Sequence, residues 1–158
     1  MTGTIKYITG DATQPIGDGK KIIAHICNNE GKWGKGFVLA ISNRWTLPEA
    51  NYRALTKYTL GEVQYVDIND DLIVANMIAQ NGVGFQNGKP PISYGALRIC
   101  LAHVNNVAYK TNATIHAPMF GTGLSGGNWN IIEQIIKDVM SVPITIYVLD
   151  KLYLPKLG

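Results

Sequence analysis

A chain of 158 residues, 46% hydrophobic and 16% charged, is the size of one domain with a continuous core, here residues 1–158. Its net charge of +3 is scattered over Lys20, Lys21, Lys32, Lys35, Arg44, Arg53 and Lys57, so nonspecific polyanion binding is not compelled and a small anionic ligand is easily accommodated. No apolar stretch approaches the ~20 residues that cross a bilayer, the start MTGTIKYITGDA lacks the apolar core of a signal peptide, and Cys27 and Cys100 lack a paired-thiol spacing. These features predict a cytoplasmic protein with reduced, buried thiols and no membrane association.

In chain order, TIKYIT (4–9) alternates like a half-buried strand, and KIIAHICN (21–28) is a continuous apolar run suited to a strand covered on both faces. After the turn-rich NNEGKWGKG, the spacing of Phe37, Ile41 and Trp45 predicts a helix ending before Pro48. EVQYVDI and LIVANMIAQ read as two strands joined through Asn69-Asp70-Asp71. The loop QNGVGFQNGKPP leads to a helix starting near Ser93 or Tyr94, with Leu97, Leu101, Val104 and Ala108 on one face. ATIHAPMF is another strand, Trp129, Ile132, Ile136 and Val139 line a last helix, and PITIYVL closes as a strand. Helices between strands imply crossover connections and a mixed, largely parallel sheet between helices.

In such sheets ligands sit beyond the carboxyl ends of strands. Three loops occupy that position: Gly10-Asp11-Ala12, Asn28 to Gly36, and Gly121 to Asn128. In the last, Gly121, Gly123, Gly126 and Gly127 allow positive φ and close approach of backbone N–H groups to a phosphate, beside a helix start. The same bareness suits an ordinary connection with Asn128 as helix cap, and the loop fits neither the P-loop pattern nor a clean G-x-G-x-x-G. Asn28 and Asn29 amides can serve sugar hydroxyls, and Trp33 either covers a ring or packs the loop. Asp11 is either a turn cap or an acceptor for an exocyclic amine. His25 and Cys27 share a strand face, but only His116 is a plausible third metal ligand, so no metal is expected. His103 and Lys89 read as solvated.

Taken together, GDA after the first strand, HICNNEGKWGKGF after the second and APMFGTGLSGGNW before the last helix resemble the three ligand loops of a macro domain, the three-layer α/β/α fold that binds ADP-ribose. The resemblance covers nearly the whole chain. The HxCNxxGxWGxGF pattern, from His25 to Phe37, is most similar to the ADP-ribose 1''-phosphate phosphatase branch. The resemblance implies that Gly10, Asp11 and Ala12 face the adenine, with Tyr147 or Leu149 lining its pocket. It implies that Ile26, Cys27, Asn28, Trp33, Gly34, Lys35, Gly36, Phe37 and Val38 border the distal ribose. Met119, Phe120, Gly121, Thr122, Gly123, Leu124 and Ser125 would wrap the diphosphate.

The related terminal ADP-ribose glycohydrolase branch works with a lysine and an aspartate at positions that here read Gln80 and Ser125, and glutamine cannot form a lysyl adduct. The expected activity is removal of the 1''-phosphate from ADP-ribose 1''-phosphate, with Asn28 orienting the ribose and His25 as general acid or base, no cofactor, and a monomeric chain. Two alternatives stay open: hydrolysis of ADP-ribose from a modified protein or nucleic acid, and recognition of ADP-ribose without catalysis.

Overall fold

The computed structural model describes residues 4–122 and 126–149. The elements run β1 (Ile5–Thr9), β2 (Lys21–Asn28), α1 (Phe37–Arg44), α2 (Leu47–Arg53), β3 (Val63–Asn69), β4 (Leu72–Gln80), α3 (Tyr94–Thr111), β5 (Thr114–Pro118), α4 (Trp129–Val139) and β6 (Ile144–Val148). The strands form one sheet in the order β1-β6-β5-β2-β4-β3. All neighbours pair in parallel except β3 and β4, which form an antiparallel hairpin at one edge.

The continuous apolar run of β2 has the expected cause, since both its faces are covered. Ile22 and Ala24 point into a core shared with Leu97, Leu101 and Val104 of α3 and Ile132 and Ile136 of α4. Ile23 and Cys27 point the other way, against Val38 and Ile41 of α1 and Tyr52 of α2. The sheet is thus the middle layer of an α/β/α arrangement.

Helix α2 is a correction to the sequence reading, which took Pro48 as a stop signal. Pro48 lies in the first turn of α2, where a missing N–H costs no helical hydrogen bond. Helix α3 starts where expected: Ser93 caps it, its Oγ accepting from Ala96 N at 3.2 Å. Asn128 caps α4 in the same way, accepting from Asn130 N. Cys27 and Cys100 are both buried and free, and burial pushes both thiol pKa values up. Among the described residues no helix is long and apolar enough to cross a membrane.

Candidate functional site

Because β1, β2, β4, β5 and β6 are parallel, their carboxyl ends share one edge of the sheet. Over the ends of β2, β4 and β5 lies a cleft of about 850 Å³. His25 to Asn28 lie along one wall, Gly34 to Val38 and Pro118 to Thr122 form others, and Lys32, Gln80, Val83 and Gly84 complete the lining. Lys32 and Lys35 are its cations, and no carboxylate stands among its described lining residues.

The glycine loop bends back on itself. Gly121 has φ of 79°, and its carbonyl accepts from Gly127 N at 2.5 Å. A Cβ on Gly121 would lie 2.6 Å from Ile92 Cδ1, so the backbone passes there only because no side chain is present. Thr122 Oγ1 donates to the Met119 carbonyl at 2.7 Å and tightens the turn. Phe120 is buried, in ring contact with Trp129, and so braces the loop from below while also bordering the cleft. The expected phosphate contacts of Gly123, Leu124 and Ser125 lie outside the described residues.

Across the cleft, α1 begins at Gly36, with φ of 85° and no side-chain cap. Its first N–H groups and positive dipole end are open to an anionic ligand. Asn28, expected to orient a ribose, is mostly spent on its own loop. Its Oδ1 accepts from Glu30 N, Lys32 N and the Tyr52 hydroxyl, and its Nδ2 donates to the Lys32 carbonyl, leaving one amide hydrogen for a ligand.

Trp33 requires a correction. It is 2% exposed, donates from Nε1 to Ser42 Oγ at 2.7 Å and packs against His25 and Tyr52, so it anchors the loop rather than lining the cleft.

The segment 81–91 after β4 is a small hairpin. Gln86 and Lys89 exchange backbone hydrogen bonds around Asn87-Gly88, both at positive φ, and Asn81 N donates to the Pro91 carbonyl at its neck. Asn29 latches one side: its Oδ1 accepts from Gly82 N at 2.8 Å and its Nδ2 donates to Asn81 Oδ1. On the other side Phe85 and Pro90 rest on Gly126, so close that a Cβ there would fall 2.8 Å from each. Between the two latches, Val83 and Gly84 border the cleft.

His25 is 1% exposed. Nε2 lies 2.6 Å from Asn76 Oδ1, and Nδ1 has no partner among the described residues. Burial lowers its pKa to about 4, against a smaller opposing effect of the Asn76 hydrogen bond, so the ring is neutral at pH 7. His25 and Cys27 do share a face, with Sγ 4.0 Å from Nε2. His116 is engaged elsewhere, with Thr114 Oγ1 and the Tyr147 hydroxyl each 2.7 Å from a ring nitrogen.

Toward β1 the residues expected around the adenine are held largely by contacts of their own. Asp11 Oδ1 accepts from both Thr13 N and Thr13 Oγ1, as in a turn cap, and Oδ2 lies 4.0 Å from Arg44. Tyr147 is 3% exposed, its hydroxyl held between Ile16 N and His116, so it supports the first loop from within. Leu149 is 84% exposed beyond the end of β6. Gly10 N donates to the Val148 carbonyl, and Ala12 is buried. None of these residues borders the cleft. His103, expected to be solvated, is exposed but stacks on Tyr65, whose hydroxyl lies 2.6 Å from Nδ1.

Sequence reasoning missed Lys32, Val83, Gly84 and Pro118. The rule that places ligands beyond carboxyl ends of strands would have found Val83 and Gly84, had it been applied to β4 as it was to β1, β2 and β5.

No family model matches the chain. Solved structures do. A protein of unknown function from Bacteroides thetaiotaomicron is 47% identical with a TM-score of 0.88, covering 92% of this chain and 98% of that one. A macrodomain protein from Streptomyces coelicolor is 42% identical with a TM-score of 0.79, covering 92% and 99%. At that identity and coverage, this chain belongs to the macrodomain family. Among curated proteins, the ADP-ribose 1''-phosphate phosphatase of Lodderomyces elongisporus is 26% identical over 161 residues, covering 93% of this chain and 99% of that one.

Proposed function

We propose that this macrodomain binds ADP-ribose along the carboxyl edge of its sheet and hydrolyses ADP-ribose 1''-phosphate. The adenine faces Asp11, whose Oδ2 remains able to accept from an exocyclic amine. The diphosphate lies between Met119 to Thr122 and the open start of α1, and the distal ribose lies beneath Val83 and Gly84 beside His25. The observation that carries this reading is the cleft itself. Two stretches of bare backbone, Gly34 to Gly36 and Gly121 to Thr122, face it together with an uncapped helix start and Lys35, and no lining carboxylate repels an anion. Each N–H bonded to a charged oxygen contributes roughly 1.5–3 kcal/mol, enough for a few of them to anchor a diphosphate.

In the reaction, the oxygen of a water molecule bonds to phosphorus as the bond from phosphorus to the oxygen on C1'' breaks. Inorganic phosphate leaves, and the freed sugar oxygen takes a proton. Backbone N–H groups and Lys35 stabilise charge on the phosphoryl oxygens. A histidine with a pKa near 4 is a weak base at neutral pH, so His25 serves mainly to orient, and the enzyme is slow. The likeness to the Lodderomyces phosphatase supports the same substrate.

The test incubates the protein separately with ADP-ribose 1''-phosphate, ADP-ribosylated protein and ADP-ribosylated DNA, measuring phosphate and ADP-ribose, with calorimetry for free ADP-ribose. Phosphate release from the first substrate, reduced in His25→Gln, is expected. Tight ADP-ribose binding with no turnover leaves a recognition module, release of ADP-ribose from a macromolecule reassigns the substrate, and no binding at millimolar ligand removes the reading altogether.

A further inference from the structure

The imidazole of His25 has two nitrogens, and a chain of amides determines which one carries the hydrogen. The backbone carbonyls of Asn51 and Pro48 can only accept. Gln64 Nε2 donates to the Asn51 carbonyl at 2.9 Å, which turns Gln64 Oε1 toward Asn76, where it accepts from Nδ2 at 3.1 Å. The same Nδ2 donates to the Pro48 carbonyl at 3.3 Å. With both its hydrogens committed, the Asn76 amide cannot flip, and Oδ1 is what it presents to His25 Nε2 at 2.6 Å. An acceptor at that distance requires the hydrogen on Nε2. Asn76 is fully buried, between Ala75 and Met77 along β4 and level with His25 and Gln64 on the neighbouring strands, so its amide serves these contacts rather than solvent.

A neutral ring with its hydrogen on Nε2 carries a bare lone pair on Nδ1. No donor among the described residues meets it. Trp33, which packs edge-on against the ring, spends its indole N–H on Ser42. Phe37, on another side, offers none. A buried acceptor left without a donor is uncommon in native proteins and marks a place that a bound group completes, and His25 borders the cleft.

We propose that Asn76 and Gln64 are positioning residues that hold His25 in its Nε2–H tautomer, so that Nδ1 accepts a hydrogen bond from a hydroxyl of the distal ribose. This rests on the reading of the cleft as an ADP-ribose site. It assigns to two residues of β3 and β4, neither of which lines the cleft, control over the polarity of its wall. It also makes the site selective for a sugar hydroxyl at that point, since an acceptor held in place and deprived of a donor disfavours a ligand that lacks one.

Nitrogen-15 NMR of the histidine-labelled full chain at pH 7 reads the tautomer directly and needs no turnover. The expected result is a protonated Nε2 and an unprotonated Nδ1 at His25, with the Nδ1 signal moved by ADP-ribose and unmoved by ADP. Asn76→Leu populates the Nδ1–H tautomer and lowers phosphate release from ADP-ribose 1''-phosphate about 10-fold, the loss of one hydrogen bond to the ribose, with ADP affinity changed less than about twofold, within the usual additivity error for separated sites. The milder Gln64→Leu, at a half-buried position, shifts the tautomer in the same direction and serves if Asn76→Leu does not fold. Asn76→Asp keeps the tautomer but raises the His25 pKa, moving the acidic limb of the pH profile upward. A wild-type ring protonated on Nδ1, or a tautomer indifferent to both Leu variants, overturns the proposal. ADP-ribose binding by calorimetry with an unmoved Nδ1 overturns the role of His25 alone. Absence of binding overturns the site as well, and binding without phosphate release removes only the hydrolase reading.

Discussion

Gly121→Ala separates the two demands made on the glycine loop. At φ of 79° an alanine sits in the left-handed region, at a cost of about 1–2 kcal/mol. Its Cβ would also fall 2.6 Å from Ile92 Cδ1, 2.9 Å from Ile132 Cδ1 and 3.3 Å from Ile26 Cδ1. These are flexible side-chain ends that can yield, but yielding displaces core packing at a cost of about 1–3 kcal/mol. Together the terms come to about 2–5 kcal/mol, which for a domain of this size lowers Tm on the order of 10 °C. Gly84→Ala is the matched control: φ is 72°, but nothing lies within 4 Å of the added Cβ, so only the backbone term applies and Tm falls by a few degrees. Thermal denaturation followed by circular dichroism gives both values. Calorimetry with ADP-ribose gives the second readout, in which Gly121→Ala, by tilting the N–H groups of the cradle, weakens binding at least about 10-fold, the equivalent of one charge-assisted hydrogen bond. Equal Tm shifts for the two variants, or an affinity for Gly121→Ala within twofold of wild type, would refute the account.

Acid stability follows from His25 and His116, both held by burial near pKa 4 against an ordinary 6.5. The unfolded chain binds protons that the folded one does not, so the stabilisation is complete above pH 6.5 and is lost as pH falls from there toward 4, about 3 kcal/mol for each ring. Urea titrations at pH 7 and 4.5 measure the loss, and His25→Gln should reduce it; a stability flat across this range contradicts the assignment. Tyr147→Phe leaves Ile16 N and His116 without their shared hydroxyl and is expected to destabilise by about 1–3 kcal/mol, read as a lower urea midpoint with unchanged slope. Trp33→Phe should cost stability but leave ADP-ribose affinity within about threefold, since the ring is an anchor; a larger loss of affinity in calorimetry would return Trp33 to the ligand.

The strands were legible because burial wrote them plainly: β2 is largely apolar since helices cover both its faces, and in β1 exposed Lys6 and Thr9 interrupt half-buried residues. Helix α2 was hidden because Pro48 signals a stop from outside a helix and a start from within its first turn, and only the fold distinguishes these. The cleft was legible as glycines placed beyond strand ends, a rule of topology rather than of residue identity. What the sequence could not show was how side chains are spent. Asn28, Trp33 and Tyr147 have the chemistry of ligand contacts, and the fold uses that chemistry to hold its own loops together. The pairing of His25 with Asn76 was equally invisible, because the two are separated by 51 positions and meet only through strand register.

The hairpin after β4 behaves as a beam laid across two supports. One end bears on Asn29 and the other on Gly126, in loops that chain order places far apart. A beam must match its span, so the lengths of these three loops are mutually constrained: a residue removed from the hairpin lifts Phe85 off Gly126, and a residue inserted near Asn29 unseats the opposite end. Drift in loop length, which surface connections ordinarily tolerate, is confined here to the hairpin tip around Asn87-Gly88, the stretch that overhangs neither support.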